Sequence, residues 1–513
     1  MKFVPTTRSL MAGIALAGVL AFTPSLAMAD VLNVMQSEAP RSMDPGDQSA
    51  TFTNALLRPM FEGLTDRDAN QQIVPKLATE WTSDEAGLVW TFKLREGVLF
   101  HDGTPFNAEA AAYNFNRHLD TERGLAASGR LRTFMEGVRA VDEYTLEITL
   151  KSPYPAFLAL LTTQAGWQVS PAADEAGNLG SSSVGTGPYR LAEYRSGDYV
   201  LQEKFADYWG DKEAGEDQIR WTWSSETSVL NMALQTGDAD IINPVPAAFA
   251  RQIEGNPELA LNVSDGSAVF WVALNTESEP LNDVRVRQAL NFATDKNGLV
   301  QAIMSGYAIP ATSPLASITP GFDPSLNPYP LDLERAKALL AEAGVADGFE
   351  IDVVVQEPEA RIGEVLQAMW APLGVKLNVQ RMESGVWSQA AFGDVAQKAD
   401  QNVDAVIASW SSGVNGADLQ LRPLYHSSSF SPGGANLGFF KNDDFDALLD
   451  KAAATTDEAA RNEVYVEAQK LINDEAPHVL LYVNQDLYAT RDGVSGAWMV
   501  PGGFVRVETA TKD

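Results

Sequence analysis

The sequence predicts a mixed α/β protein with at least two lobes, and three observations point there. Strand and helix patterns alternate along the whole chain, which favours layered α/β lobes over a sandwich or a helix bundle. Beyond residue 29 the chain runs for 484 residues with ordinary apolar content. A single core rarely grows past roughly 250 to 300 residues, so more than one is expected. No internal repeat and no low-complexity linker offers another architecture.

Taken in order, the first 29 residues carry a basic start at Lys2 and Arg8, an apolar run over residues 10–22, and small residues at Ala27 and Ala29. That pattern is a secretory signal with an A-x-A cleavage site. The run is about a dozen residues, and no later stretch reaches the roughly 20 needed to cross a bilayer. A soluble mature chain beginning at Asp30 and lying in the periplasm is therefore expected. Residues 31–34 open it as a strand. Residues 145–150 put Leu146, Ile148 and Leu150 on one face and Thr145, Glu147 and Thr149 on the other, as a strand covered on one side does.

The second half has a βαβ-like rhythm. Asp332 is placed to cap a helix with Ala336, Leu339, Leu340 and Ala343 on one face, and Gly344 stops it. A strand over 351–355 follows, then helical spacing at Ile362, Val365, Leu366 and Met369. Alternation resumes at Val375, Leu377 and Val379, after Gly374. Residues 403–409 read as a strand. Thr455 and Glu458 suggest a capping box for a helix that turns Val464, Ala468, Leu471 and Ile472 inward and ends before Pro477. A strand over 479–483 precedes a returning tail with Trp498 and a Gly502-Gly503 turn.

Composition excludes several functions. With no cysteine there is no disulfide framework, no thiolate metal site and no lipid-modified cysteine anchor. Removing Lys2 and Arg8 with the signal leaves 35 basic against 68 acidic side chains, a formal charge of −33. Nucleic-acid binding is disfavoured, and the charge reads as a well-solvated surface. The four histidines, His101, His118, His426 and His478, are scattered, with no H-E-x-x-H helix. No G-x-S-x-G elbow appears, and Gly185 and Gly187 lack the third glycine of a dinucleotide fingerprint. No cofactor or resident metal is implied. Nothing favours an enzyme, although a carboxylate-dependent hydrolase is the rival class.

Several blocks resemble the bacterial extracellular solute-binding proteins of family 5, the peptide/nickel class that serves ABC importers. One is Leu57-Arg58-Pro59-Met60-Phe61-Glu62-Gly63-Leu64, followed by Val74-Pro75-Lys76-Leu77-Ala78 and Trp81. More specific is Leu94-Arg95-Glu96-Gly97-Val98 with Phe100-His101-Asp102-Gly103-Thr104-Pro105-Phe106-Asn107-Ala108. Three further blocks keep the family's order: residues 184–189 (VGTGPY), 233–240 (ALQTGDAD) and 283–290 (DVRVRQAL). Ser409-Trp410-Ser411 with Ala417-Asp418, and Ala497-Trp498-Met499-Val500-Pro501, resemble the glutathione-binding branch. Physically the motifs look like scaffold: Asp102-Gly103 turns, Pro105 stiffens, and Asn107 caps a helix with Ala111, Phe115 and Leu119 inward. Gly185, Gly187 and Pro188 make a tight entry to a strand over 189–191.

The resemblance implies a two-lobed periplasmic binding protein of class II, cluster C type, with an extra subdomain in the first lobe. Lobe I is expected from residues 30–50, 184–268 and 488–513, its extra subdomain from 51–183, and lobe II from 269–487. Hinge segments are expected near 267–272 and 482–488. A monomer that closes around a peptide-like solute and hands it to permease subunits is implied, with opines, oligosaccharides or metal chelates as other cargo. Nickel is disfavoured by the absence of a histidine cluster.

A peptide presents an ammonium, a carboxylate and backbone groups, so acids, guanidiniums and aromatic walls are sought. Trp410 is a pocket-wall candidate at a loop mouth. Dipeptide-binding relatives carry an acid shortly after that tryptophan, whereas here Ser411-Ser412-Gly413 follows it. Asp418 is either a ligand contact or the cap of a helix beginning near Leu419. For a carboxylate, Arg361 lies where relatives bind one, and Arg41, beside Glu38, and Arg422 are alternatives. Trp387, Trp271 and Trp498 are candidates for closing the cavity, and Asn415 for a hydrogen bond or a turn. Tyr425 and His426 are read as part of a polar loop.

Overall fold

The structure, a computed structural model, describes residues 30–210, 215–412, 416–455 and 457–513. The proposed signal segment, residues 1–29, lies outside them. Among the described residues no helix is long and apolar enough to cross a membrane. The framework is an eleven-stranded mixed sheet together with a separate four-stranded antiparallel sheet.

Two long strands run through the middle of the large sheet. Leu259–Leu274 and His478–Arg491 pair antiparallel, first as Leu259 opposite Arg491 through Asp265 opposite Gln485, then from Val269 opposite Val483 to Ala273 opposite His478. Between these stretches the register breaks at residues 265–269. Gly266 sits in the break, where a Cβ would lie 2.6 Å from the Asn484 carbonyl oxygen. On the first side of the break, His478–Arg491 also pairs with Ile241–Asn243, and the sheet continues through Val31–Gln36, Gln218–Trp223, Tyr199–Lys204 and Tyr189–Arg195. On the second side, Leu259–Leu274 pairs with Ala405–Ser411, then Phe349–Gln356 and Val375–Met382. Ala308–Pro310 adds an edge to His478–Arg491. One sheet therefore serves two lobes, joined through two strands.

Burial follows this division. In the second lobe both sheet faces are covered, one core holding Trp271, Val354, Val406 and Tyr425 and the other Val353, Ile407, Trp370 and Leu481. Such strands read as apolar runs because neither face meets water. The first lobe has its own pair of cores, around Trp221 and Trp167 and around Leu230 and Ile253. The four-stranded sheet, in the order Ala78–Ser83, Val89–Leu94, Thr145–Leu150 and Met135–Asp142, buries Phe92, Leu146 and Ile148 against Phe115 of helix Ala108–Leu119.

Local signals set most boundaries. Asn107 accepts from the Ala110 amide at 3.0 Å and Asp332 from the Arg335 amide at 2.9 Å, capping their helices as the sequence predicts. Pro477 lies just beyond helix Glu458–Glu475. The start of that helix differs from expectation. Thr455 closes the preceding helix, its hydroxyl donating to the Lys451 carbonyl at 2.7 Å, and Asp457 is the cap, accepting from the Ala460 amide at 2.8 Å. Asp418 is not a cap either. It occupies the first turn of helix Asp418–Tyr425, where its carboxylate meets Arg422 one turn on.

Candidate functional site

Strand direction locates the site before any side chain does. Leu259–Leu274 runs from the first lobe into the second, and Ala405–Ser411 runs antiparallel to it, ending with Ser411 opposite Ala268 at the register break. Phe349–Gln356 and Val375–Met382 are parallel to Ala405–Ser411, so all three carboxyl ends aim at the junction. In the first lobe, Ile241–Asn243 is antiparallel to the departing His478–Arg491, and Val31–Gln36 and Gln218–Trp223 are parallel to Ile241–Asn243. Their carboxyl ends face the same junction from the other side. Crevices beyond the carboxyl ends of parallel strands are where open α/β sheets hold ligands, and this fold opposes two such edges.

On the second lobe, Arg361, Trp387, Asp418 and Arg422 follow carboxyl ends of those strands, and Trp410 stands at one. Trp410 is the penultimate residue of its strand and is half-buried. Its indole nitrogen donates to the Leu419 carbonyl at 2.9 Å, and its own carbonyl accepts from Gln420, which fixes the ring against helix Asp418–Tyr425. The Arg422 guanidinium is held between Asp418 at 3.1 Å and Asp450 at 2.9 Å. Burial opposes its charge, but the two carboxylates outweigh burial and raise its pKa. Arg361, in the first turn of helix Ala360–Trp370, is exposed and makes no ion pair among the described residues.

Other candidates lie deeper. Trp271 is 2% exposed in mid-strand, its ring stacked on His478 at 4.4 Å within a core of the second lobe. Trp387 is buried on helix Ser384–Ala391, packed edge-on to Phe392 at 6.1 Å. Tyr425 is fully buried, its hydroxyl 2.9 Å from His478 Nδ1, contrary to the polar-loop expectation. Asn415 lies outside the described residues.

On the first lobe, Arg41 and Glu38 follow the carboxyl end of Val31–Gln36 as an exposed pair at 3.5 Å, a contact worth at most about 1 kcal/mol. The Arg41 amide donates to the Thr53 hydroxyl at 3.1 Å, tying this loop to helix Thr51–Leu57. Beside that helix is a cavity of about 220 Å³ that sequence reasoning did not find. Its walls include Trp167 and the hairpin from Trp498 to Phe504, which is anchored at the junction where the Asn243 side-chain Nδ2 donates to the Gly503 carbonyl at 3.1 Å. The Gly502 amide reaches Asp486 of the long strand at 3.2 Å.

Charge lines the cavity wall. Asp66 is gripped by both Arg58 and Arg506, and Arg506 also pairs with Glu508. Burial opposes ionisation of Asp66, but the two guanidiniums win and lower its pKa to about 2. Arg58 lies 5.3 Å from the Trp167 ring and Arg506 4.9 Å from the Trp498 ring, both cation–π distances. Residues 58, 66 and 506 meet only in three dimensions. Trp498, which the sequence did single out, was the one local signal.

The long motifs meet elsewhere and hold one another. Glu62 of the first block is buried and satisfied by Lys76 at 3.0 Å, Thr186 at 2.9 Å, Tyr208 at 2.8 Å and Trp209 at 2.9 Å. His101 accepts from the Gly185 amide at 3.2 Å, with its Nε2 3.0 Å from the Gly187 carbonyl oxygen. A Cβ on Gly185 would lie 2.2 Å from the Met60 carbonyl, and one on Gly187 2.4 Å from that of Pro59. Three motifs thus pack backbone to backbone, which only glycine permits. Among the described residues, no group of three or more His, Asp or Glu side chains is arranged to hold a metal ion.

Comparison with known proteins agrees with this architecture. Residues 72–432 match the family model described as bacterial extracellular solute-binding proteins, family 5 middle. The chain is 32% identical over 474 residues to the glutathione-binding protein GsiB of Pectobacterium atrosepticum, covering 91% of each. Among solved structures it is similar to HbpA2 from Haemophilus parasuis, with a TM-score of 0.86 and 26% identity over 94% of this chain and 100% of that one. It is also similar to the periplasmic binding protein DppA from Helicobacter pylori in complex with the peptide STSA, with a TM-score of 0.74 and 26% identity over 94% and 98%.

Proposed function

The chain belongs to family 5 of the bacterial extracellular solute-binding proteins, and from that membership we propose that it is the periplasmic component of an ABC importer, capturing glutathione or a short or modified peptide. The observation that carries the reading is the opposition of two sets of parallel-strand carboxyl ends across one strand crossing. A ligand there touches both lobes at once and so favours closure in proportion to those shared contacts. Peptide chemistry is supported by the similarity to a glutathione-binding protein and to a protein solved with a bound peptide. It is also supported by the residue types near the junction: Trp410 as a wall, Arg361 as an exposed guanidinium, and Arg41 with Glu38 on the facing loop.

In this reading lobe I comprises residues 30–50, 184–268 and 488–513, with an extra subdomain over 51–183, and lobe II comprises 269–487. Bending is centred on residues 267–272 and 482–488. The open protein takes up the solute, closes, and presents both lobes to permease subunits in the inner membrane. The cycle needs no covalent step.

Thermal unfolding of the protein from Asp30 onward, freed of carried-over ligand by unfolding and refolding, tests this. Glutathione, di- to pentapeptides, oligosaccharides and nickel chelates are the probes. Ligand at 100 times its dissociation constant adds about 2.7 kcal/mol to stability. Concentration-dependent stabilisation by glutathione or peptides is expected. Stabilisation by sugars or chelates alone would overturn the peptide assignment, and release of hydrolysed peptide at catalytic levels, followed by mass spectrometry, would overturn the transport reading.

A further inference from the structure

We infer that Asp486, on the strand crossing itself, is the residue that receives a primary ammonium of the bound solute. The inference rests on the peptide reading above and adds a specificity determinant to it. Gln36, the last residue of Val31–Gln36, pairs with Asn243, the last residue of Ile241–Asn243, and Ile242 lies opposite Ala489. Asp486 stands three residues from Ala489 toward the second lobe, just beyond the carboxyl ends of these first-lobe strands. One turn touches both side chains: the Gly502 amide donates to the Asp486 carboxylate at 3.2 Å, and the Gly503 carbonyl accepts from Asn243 Nδ2 at 3.1 Å. On the other side, Asn484 Nδ2 donates to Asp486 at 2.8 Å, and Asn484 Oδ1 accepts from the Ala268 amide at 3.0 Å. Ala268 lies opposite Ser411, the end of a second-lobe strand. Asp486 is thus linked through a single intermediary to the strand ends of each lobe, where a solute at the junction lies.

The carboxylate has no cationic neighbour. It is half-buried, both of its donors are neutral, and it forms no ion pair among the described residues. Burial raises its pKa, and the two hydrogen bonds offset this only in part. Asp66 is the opposite case, since there two guanidiniums outweigh burial. A half-buried carboxylate without a counter-ion carries an electrostatic cost that an arriving cation relieves. An ammonium brings three N–H donors, so it can bond the carboxylate and still have donors for neighbouring acceptors. Gln36, in register with Asn243 and on the same face, is such an acceptor. It is 1% exposed, its Nε2 donates to the Glu38 carbonyl at 2.8 Å, and its Oε1 has no donor among the described residues. Buried acceptors without donors are rare in folded proteins, and a ligand N–H answers this one. Across the junction the exposed Arg361 offers the opposite charge, as the two ends of a peptide require.

Binding is measured by calorimetry for each peptide that binds the wild type, glutathione included, and for the same peptide with its amine acetylated. Acetylation is expected to weaken binding to the wild type about tenfold or more, and equal affinity for the two forms overturns the assignment without any variant. Asp486→Asn keeps one acceptor and removes the charge. It is expected to weaken the free-amine ligand about tenfold or more and the acetylated one less than about threefold. Peptides that contain lysine are acetylated at the α-amine and at the side chain separately, and the form that escapes the loss identifies the ammonium that Asp486 takes. Where acetylation abolishes binding to the wild type, Asp486→Glu decides: it keeps the charge and is expected to retain more affinity than Asp486→Asn, and the reverse order overturns the assignment. Equal loss for amine and acetyl forms, or no loss for either, overturns the subsite while leaving peptide capture intact. A folded wild type that binds no peptide overturns both.

Discussion

His118 and His478 are buried and His101 is half-buried, and this ties stability to pH in one direction. Burial is the largest cause in each case, lowering His101 to about 4 and His118 and His478 to about 3 from an ordinary 6.5. A group with a depressed folded pKa contributes stability that is complete above its unfolded value and is lost as pH falls toward the folded one. For His101 alone the loss between pH 6.5 and 4 is on the order of 3 kcal/mol. Asp66, held near 2 by its arginines against burial, gives way only below that window. Melting followed by circular dichroism should therefore show a midpoint that is level from pH 8 to 7 and falls between 6.5 and 4. A midpoint constant down to pH 4 would contradict these environments. At this scale the sequence was hardest to read. Trp271 and Trp410 both lie on strands, yet one is in a core and one at a strand end. Apolar alternation does not separate them, because strands covered on both faces lack it.

Among elements, the strongest constraint is where three motif segments touch. Gly187→Ala drives a Cβ into backbone 2.4 Å away, and backbone has no rotamer through which to yield. A loss of about 2 kcal/mol or more is expected in urea unfolding. Gly129→Ala, in the first turn of helix Gly129–Phe134 with nothing within 4 Å of the new methyl, is the matched control and should be neutral or slightly stabilising. Element signals were legible wherever they were short in range. Asn107 and Asp332 cap as their spacing says. The choice between Thr455 and Asp457 turned on which residue ended the previous helix, and a capping pattern is silent on that. The cavity beside helix Thr51–Leu57 was illegible because Arg58 and Arg506 stand 448 positions apart in the sequence.

Across the whole molecule, two lobes on one continuous sheet predict a reduction in radius of gyration when ligand binds, measurable by solution X-ray scattering. An unchanged radius with ligand bound would count against closure. The α/β class and the two-lobe plan were legible because length and alternation are global properties. The strand order was not, since the final long strand lies in the middle of the sheet. That placement also bears on timing. Without His478–Arg491 the other ten strands separate into four ending at Leu259–Leu274, five ending at Ile241–Asn243, each with a bare edge, and Ala308–Pro310 with no partner strand. A nascent chain therefore cannot complete the large sheet until residues 478–491 have been made. Synthesis of most of the chain and completion of its central sheet are thus separated by topology alone.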